Sequence, residues 1–195
     1  MRKNTISIFI AGVGGQGVLR FSDILGDAAM NQGFDVKKSE VHGMAQRGGS
    51  VTSHVRFGDK VYSPLIPEGK ADFLVSLEQL EALRFLSYLD KREGYLLYDP
   101  LKIPPLEVST GVKEYPDAER ILKEYTDKVL RIPAFEKAME IGNVRVQNIV
   151  MLGALSCFLD IEDSYYTDAI KRTFKEKFWD INIKGFMEGK KFIKV

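Results

Sequence analysis

The residues of this chain best suited to chemistry fall in two short stretches. In "GVGGQG", residues 12–17, four glycines stand within six positions. Gly12, Gly14 and Gly17 satisfy the spacing G-x-G-x-x-G, and Gly15 and Gln16 add a further glycine and an amide to it. A glycine turn between a strand and a helix lets an anion reach unpaired N–H groups at the positive end of the helix dipole. The second stretch, "SEVHGMAQRGGSVTSHVRFG" at 39–58, gathers Ser39, Glu40, His42, Gln46, Arg47, Gly48, Gly49 and Ser50. Arg47 suits a bidentate grip on phosphate or carboxylate. Each stretch also has a plain reading: a tight turn with close strand–helix packing, and a solvated loop closed by glycines.

Other chemistries find little support. A lone cysteine, Cys157, excludes a disulfide framework and an all-cysteine metal or iron–sulfur site within the chain. His42 and His54 are the only histidines, and with Glu40 they lack the spacing of a metal-binding motif. His42 reads as a loop residue bonded to backbone, and His54 as a residue on the polar face of a strand. No metal ligand and no catalytic residue is assigned. The G-x-x-x-x-G-K-[ST] phosphate loop is absent, which sets an NTPase aside. A stand-alone Rossmann-type NAD(P)-binding oxidoreductase is the alternative. Glu40, 23 positions after Gly17, roughly meets its demand for an acidic residue. Lys37 and Lys38 argue against it, and Pro100 interrupts the only Tyr-x-x-x-Lys pair, Tyr98 and Lys102. Met44 reads as an apolar contact to a partner or as packing under its loop, and Asn148 as a cap or loop bond. Lys171, Arg172, Lys175 and Lys177 read as a charged helix face.

These stretches need elements to hold them. The 195 residues are 45% apolar, enough for one domain over 1–195 with a full core. Lys and Arg number 28 against 27 for Asp and Glu, a net charge of +1 that carries no nucleic-acid footprint. No segment reaches the roughly 18 apolar residues of a membrane span, and "TISIFIAG" reads as a buried strand rather than a leader, so a cytoplasmic protein is expected. The run "GVLRFSDILGDAAMNQG" has helical periodicity with Gly33 as its cap, and "FDVKKSEV" follows as a strand, which makes a βαβ unit. "VTSHVRFG" alternates as a strand, with "DKVYSPLIP" as its hairpin partner. "ADFLVSLE", "GYLLYD" and "KVLRIPA" read as strands. "QLEALRFLSYLD", "DAERILKEYTD", "FEKAMEIGN", "VQNIVMLGALSCFL" and "SYYTDAIKRTFKEKF" read as helices. Residues 100–116, rich in proline, read as irregular with room for one edge strand. The alternation predicts a three-layer α/β/α domain with a mostly parallel sheet and a glycine-rich first βα loop.

"GVGGQGV" followed by "SEVHGMAQRGGSVTSHVRFG" resembles the gamma-type chain of the 2-oxoacid:ferredoxin oxidoreductases, and within them the small beta subunit of the indolepyruvate enzymes. The likeness continues through "ADFLVSLEQLEALR" and "QNIVMLGAL". It implies oxidative decarboxylation of a 2-oxoacid, here an aryl pyruvate, to an acyl-CoA with electrons passed to ferredoxin. It places thiamine diphosphate, magnesium and 4Fe-4S clusters in a large alpha subunit, and leaves this chain inactive alone. Coenzyme A is the cofactor this chain itself could touch. On that reading Gly12, Gly14, Gly15 and Gly17 admit an anion, the pyrophosphate of coenzyme A being the natural candidate, and Gln16 bonds from the loop. Glu40, His42, Gln46 and Arg47, with Gly48, Gly49 and Ser50, line the subunit boundary.

Overall fold

The computed structural model describes residues 5–42, 48–112 and 114–193, with His42 and Leu106 described by their backbone alone. The apolar, β-branched run after the first residues forms β1 (Thr5–Val13). The glycine turn follows, then α1 (Val18–Asn31), β2 (Asp35–His42) and β3 (Ser50–Gly58). The chain continues through β4 (Phe73–Ser76), α2 (Gln79–Arg84), β5 (Tyr95–Tyr98), the short α3 (Leu106–Ser109), α4 (Ala118–Tyr125) and β6 (Val129–Arg131). Four helices close it: α5 (Ala134–Ile141), α6 (Gln147–Ser156), α7 (Asp163–Thr173) and α8 (Trp179–Lys190).

The strands form one sheet in the order β2-β3-β1-β4-β5-β6. β1, β4, β5 and β6 pair in parallel, while β3 runs antiparallel to both β1 and β2. Five strands therefore point one way and β3 alone against them. The βαβ unit is present with its two strands parallel, and β3 folds back from the second loop and inserts between them. One expectation changes here. "DKVYSPLIP" adds no strand; it crosses the sheet face as irregular chain, held where His54 Nδ1 accepts from Ile66 N and Arg56 donates to the Ser63 and Leu65 carbonyls. That cover buries His54, which was expected on a polar face, and burial holds its imidazole below its usual pKa.

Alternation along the strands feeds two cores. Ile8 and Ile10 of β1 face α1 and α6, together with Phe21, Ile24, Leu25 and Val150. Phe9 and Ala11 face the opposite layer, built from α2 and α4, with Ala82, Leu96, Tyr98 and Leu122. The result is the three-layer arrangement. α6 is buried at all ten positions, as a helix without a polar stripe must be. Part of its cover is α8, which periodicity did not reveal. The expected helix at 164–178 instead ends at Thr173, and Trp179 Nε1 donates to the Lys171 and Phe174 carbonyls across the break. Gly185 and Gly189 weaken the helical signal of α8 in the sequence. In space, a Cβ on Gly189 would fall on the Val150 carbonyl and one on Gly153 on that of Phe186, so the two helices touch backbone to backbone. Between Pro100 and Pro116 the described residues form α3 and irregular chain, with no edge strand.

Candidate functional site

The carboxyl ends of β1, β4 and β5 lie side by side, and the glycine turn stands on that edge. Gly15 (φ 107°) and Gly17 (φ 86°) both take left-handed backbone, and Gly17 caps α1 without any side-chain bond to its first turn. The early N–H groups of α1 are thus left for something else. Close packing constrains the turn as well: a Cβ on Gly12 would lie 2.8 Å from Val18 Cγ2, and one on Gly17 would lie 2.6 Å from Asn148 Nδ2.

The turn is locked from below by amides. Gln16 Oε1 accepts from Val13 N at 2.6 Å, and Gln16 Nε2 donates to the Leu77 carbonyl at 2.7 Å. Gln147 Nε2 donates to the same carbonyl at 2.8 Å and to Asp99 Oδ2 at 2.9 Å. Asp99 also accepts from Leu101 N and Phe135 N. Burial outweighs these bonds and holds its carboxyl above the usual range. Gln16 therefore fixes the turn to β4 and α6 from inside. Asn148 completes the support, donating from Nδ2 to the Gly17 carbonyl at 3.0 Å.

The two glycine stretches meet. Gly12 stands opposite Val51 and Val13 opposite Ser50 across the β1–β3 pair, and Gly14 N donates to the Gly49 carbonyl at 2.8 Å. Gly48 is left-handed, with φ 76°. Ser50 Oγ donates to Glu81 Oε2 at 2.5 Å, which ties this loop to α2. Burial raises the Glu81 carboxyl above its usual pKa, while Ser50 and Arg84 pull it back. Gln46 and Arg47, with Met44, lie outside the described residues, as does the His42 side chain.

Glu40 is engaged elsewhere. It pairs with Lys38 at 2.6 Å and accepts from Ser22 Oγ at 3.3 Å, on the α1 side of the edge strand β2. Lys38 also pairs with Asp23. With β3 interposed, β2 lies two strand spacings, about 10 Å, from β1. In a Rossmann site the acidic residue reaches a nucleotide ribose from the adjacent strand. The inserted strand removes Glu40 from that position.

Two hollows flank the turn and share Gly15, Gly17 and Arg20. One, of about 280 Å3, is mainly apolar, with Val13, Val18, Leu19 and Val51. The other, of about 360 Å3, adds Arg145, Asn148, Phe174 and Phe178. Sequence reading missed Arg20, Arg145, Gln147 and Asp99: Arg20 reads as an ordinary helix position just past the turn, and no local motif joins Asp99, Arg145 and Gln147 to a turn some 80 to 130 positions away. Among the described residues, no group of three His, Cys, Asp or Glu side chains could hold a metal ion.

A mixed six-stranded sheet with helices on both faces, carrying a glycine-rich turn bonded to a second glycine loop, defines an α/β domain whose strand order sets it apart from a dinucleotide fold. The chain belongs to the pyruvate ferredoxin/flavodoxin oxidoreductase family, whose model matches residues 7–192. It is 42% identical over 194 residues to indolepyruvate oxidoreductase subunit IorB of Pyrococcus horikoshii, covering 96% of each chain. The fold is shared with the gamma subunit of a keto/oxoacid ferredoxin oxidoreductase from Geobacter sulfurreducens (TM-score 0.71, 24% identity), over 96% of this chain and 97% of that one. It also matches part of the 2-oxoglutarate:ferredoxin oxidoreductase of Magnetococcus marinus, solved with coenzyme A bound (TM-score 0.76, 21% identity), over 98% of this chain and 31% of that one.

Proposed function

We propose that this chain is the small subunit of an indolepyruvate:ferredoxin oxidoreductase, a single cytoplasmic domain over 1–195 that completes an active site together with a large partner chain. The observation that carries this is the 42% identity to an indolepyruvate oxidoreductase subunit over 96% of both chains. The inserted β3 and the engaged Glu40 weigh against the NAD(P) alternative.

In this reading thiamine diphosphate, magnesium and 4Fe-4S clusters on the large chain supply decarboxylation and electron transfer to ferredoxin, and coenzyme A takes the acyl group. This chain's part is to bind and orient. The residues around the glycine turn fit an anionic group: the first turn of α1 has no side-chain cap, and the glycines leave its N–H groups open to approach. Gly12, Gly14, Gly15 and Gly17 let the pyrophosphate of coenzyme A approach α1. Gln16 holds the turn in shape, and the second loop, Glu40 to Ser50, faces the partner. No helix among the described residues is long and apolar enough to cross a membrane.

The test is reconstitution. The chain combined with the large subunit should reduce viologen with indolepyruvate and coenzyme A, while the chain alone does not. Gly14→Val should weaken coenzyme A binding to the complex. Ketoacid turnover by the isolated chain, or saturable micromolar NADH binding, overturns the reading.

A further inference from the structure

β2 closes one side of the sheet, packed against β3 on its inner side and α1 on one face. The hydrogen-bond pattern shows which of its backbone groups point outward. Gly14 N donates to the carbonyl of Gly49, which stands directly opposite it, so β3 bonds β1 through its odd-numbered residues. The bonding side alternates along an antiparallel ladder, so β3 bonds β2 through its even-numbered residues, opposite Asp35, Lys37, Ser39 and Val41. Val36, Lys38, Glu40 and His42 therefore turn their N–H and C=O groups away from the sheet. No backbone bond among the described residues reaches them from the outer side. Edge strands that must stay single are interrupted by proline or a bulge, covered, or guarded by charge. β2 has no proline, keeps an unbroken register from Asp35 to His42, and has Lys37 and Lys38 as its guard. Carboxylates neutralise both lysines: Asp35 pairs with Lys37, and Asp23 and Glu40 pair with Lys38.

We propose that β2 is a self-association edge, pairing antiparallel with β2 of a second copy of this chain about a twofold axis at Ser39. A twofold axis perpendicular to the sheet keeps the same face up in both copies, so odd residues meet odd and even meet even. An axis at Lys38 sets lysine against lysine, and one at Glu40 sets glutamate against glutamate. The axis at Ser39 sets Val36 against His42, Lys37 against Val41 and Lys38 against Glu40, each twice. It is the one register in which every outward group of Val36, Lys38, Glu40 and His42 bonds to the other copy. Each Lys38 gains an opposite charge directly across the pair. The Lys37 stem covers Val41, which is 57% exposed in the single chain. The charges of β2 thus match a second β2. A strand of eight residues, about 26 Å long, gives an interface at the small end of the range, so the dimer is reversible. Pairing fixes the backbone of Val41 and His42, where the chain leaves β2 toward Gly48 and Gly49. Self-pairing of β2 is independent of the role given to the glycine turn.

Sedimentation velocity of the full chain over roughly 1–500 µM tests the pairing, with a dimer dissociation constant on the order of 10–100 µM expected. Lys38→Glu turns both Lys38–Glu40 contacts across the axis into like charges, as does Glu40→Lys. Each variant should weaken the dimer by about tenfold. An equimolar mixture of the two variants restores opposite charges at both contacts and should recover a heterodimer of near wild-type affinity. Hydrogen exchange on the wild-type chain gives a readout that no folding defect can mimic. The amides of Val36, Lys38, Glu40 and His42 should exchange slowly only at dimeric concentrations, while those of Lys37, Ser39 and Val41 should be slow throughout. A chain that stays monomeric at the highest concentration overturns the proposal. A dimer unmoved by either charge reversal and by mixing overturns it too, as does exchange of the outward amides that ignores concentration. Protection of those amides that arises only when the large partner chain is added assigns the edge to that chain and also overturns self-pairing.

Discussion

Two glycines of the turn, both left-handed, give a differential test of how the site is built. A side chain on Gly15 meets nothing within 4 Å, so Gly15→Ala adds only the cost of a left-handed L-residue, about 1–2 kcal/mol. At Gly17 the same strain applies, and the new methyl also meets Asn148 Nδ2 at 2.6 Å. Asn148 must then withdraw and give up its bond to the Gly17 carbonyl, about 1 kcal/mol, with a comparable steric term. Gly17→Ala should thus cost about 3–4 kcal/mol, roughly twice the loss at Gly15. For a chain of this size each kcal/mol shifts Tm by about 2–4 °C, which predicts a fall of about 6–16 °C for Gly17→Ala against about 2–8 °C for Gly15→Ala. Thermal unfolding of both variants, with Asn148→Ala alone and combined with each, completes the cycle. Removing the amide should cut the Gly17→Ala penalty to that of Gly15→Ala and leave Gly15→Ala unchanged. Equal losses at both glycines, or additive behaviour of Gly17→Ala with Asn148→Ala, would refute the idea that Asn148 supports the turn by direct contact.

Two other perturbations probe the frame around the site. Burial raises the Glu81 pKa above its ordinary value of 4.5, so the native state holds its proton to higher pH than the unfolded chain. Stability contributed below that value is lost as pH rises through the native pKa. Glu81→Gln keeps an acceptor for Ser50 and removes this titration, so urea midpoints of the variant should gain on the wild type as pH increases from 4 upward; parallel curves would contradict it. In α8, Gly189→Ala should destabilise by about 1–3 kcal/mol because its methyl lands on the Val150 carbonyl. Gly185→Ala meets only ordinary contacts from 3.4 Å outward and should be neutral or gain up to about 1 kcal/mol in helix propensity. Melting temperatures that fail to separate the two would contradict the backbone contact between α6 and α8.

Much of the fold was legible in the chain because its signals are local. β1 and the glycine turn declare themselves through a β-branched run and a spacing of glycines, and α1 through its period of 3.6. The family likeness came from two contiguous loops. The order of strands was not legible. Nothing local distinguishes a β2 adjacent to β1 from one displaced by β3, since both satisfy the same alternation of apolar residues. The same holds for His54, polar by strand pattern yet covered by the chain at 59–72. α8 escaped because its glycines reduce helix propensity, although one of them, Gly189, is required by the backbone contact with α6.

The amino-acid order alone determined that residues 12–17 make a glycine turn at a helix start, because backbone freedom is a property of the local chain. Only the tertiary structure decided what surrounds that turn. It brought Gln147, Asn148 and Arg145 to Gln16, Gly17 and Arg20 across some 130 residues of sequence. It also drew Glu40 away to Lys38. Side chains so distant along the chain meet only when the packing of α6 against the sheet fixes them in space, and no spacing rule encodes that.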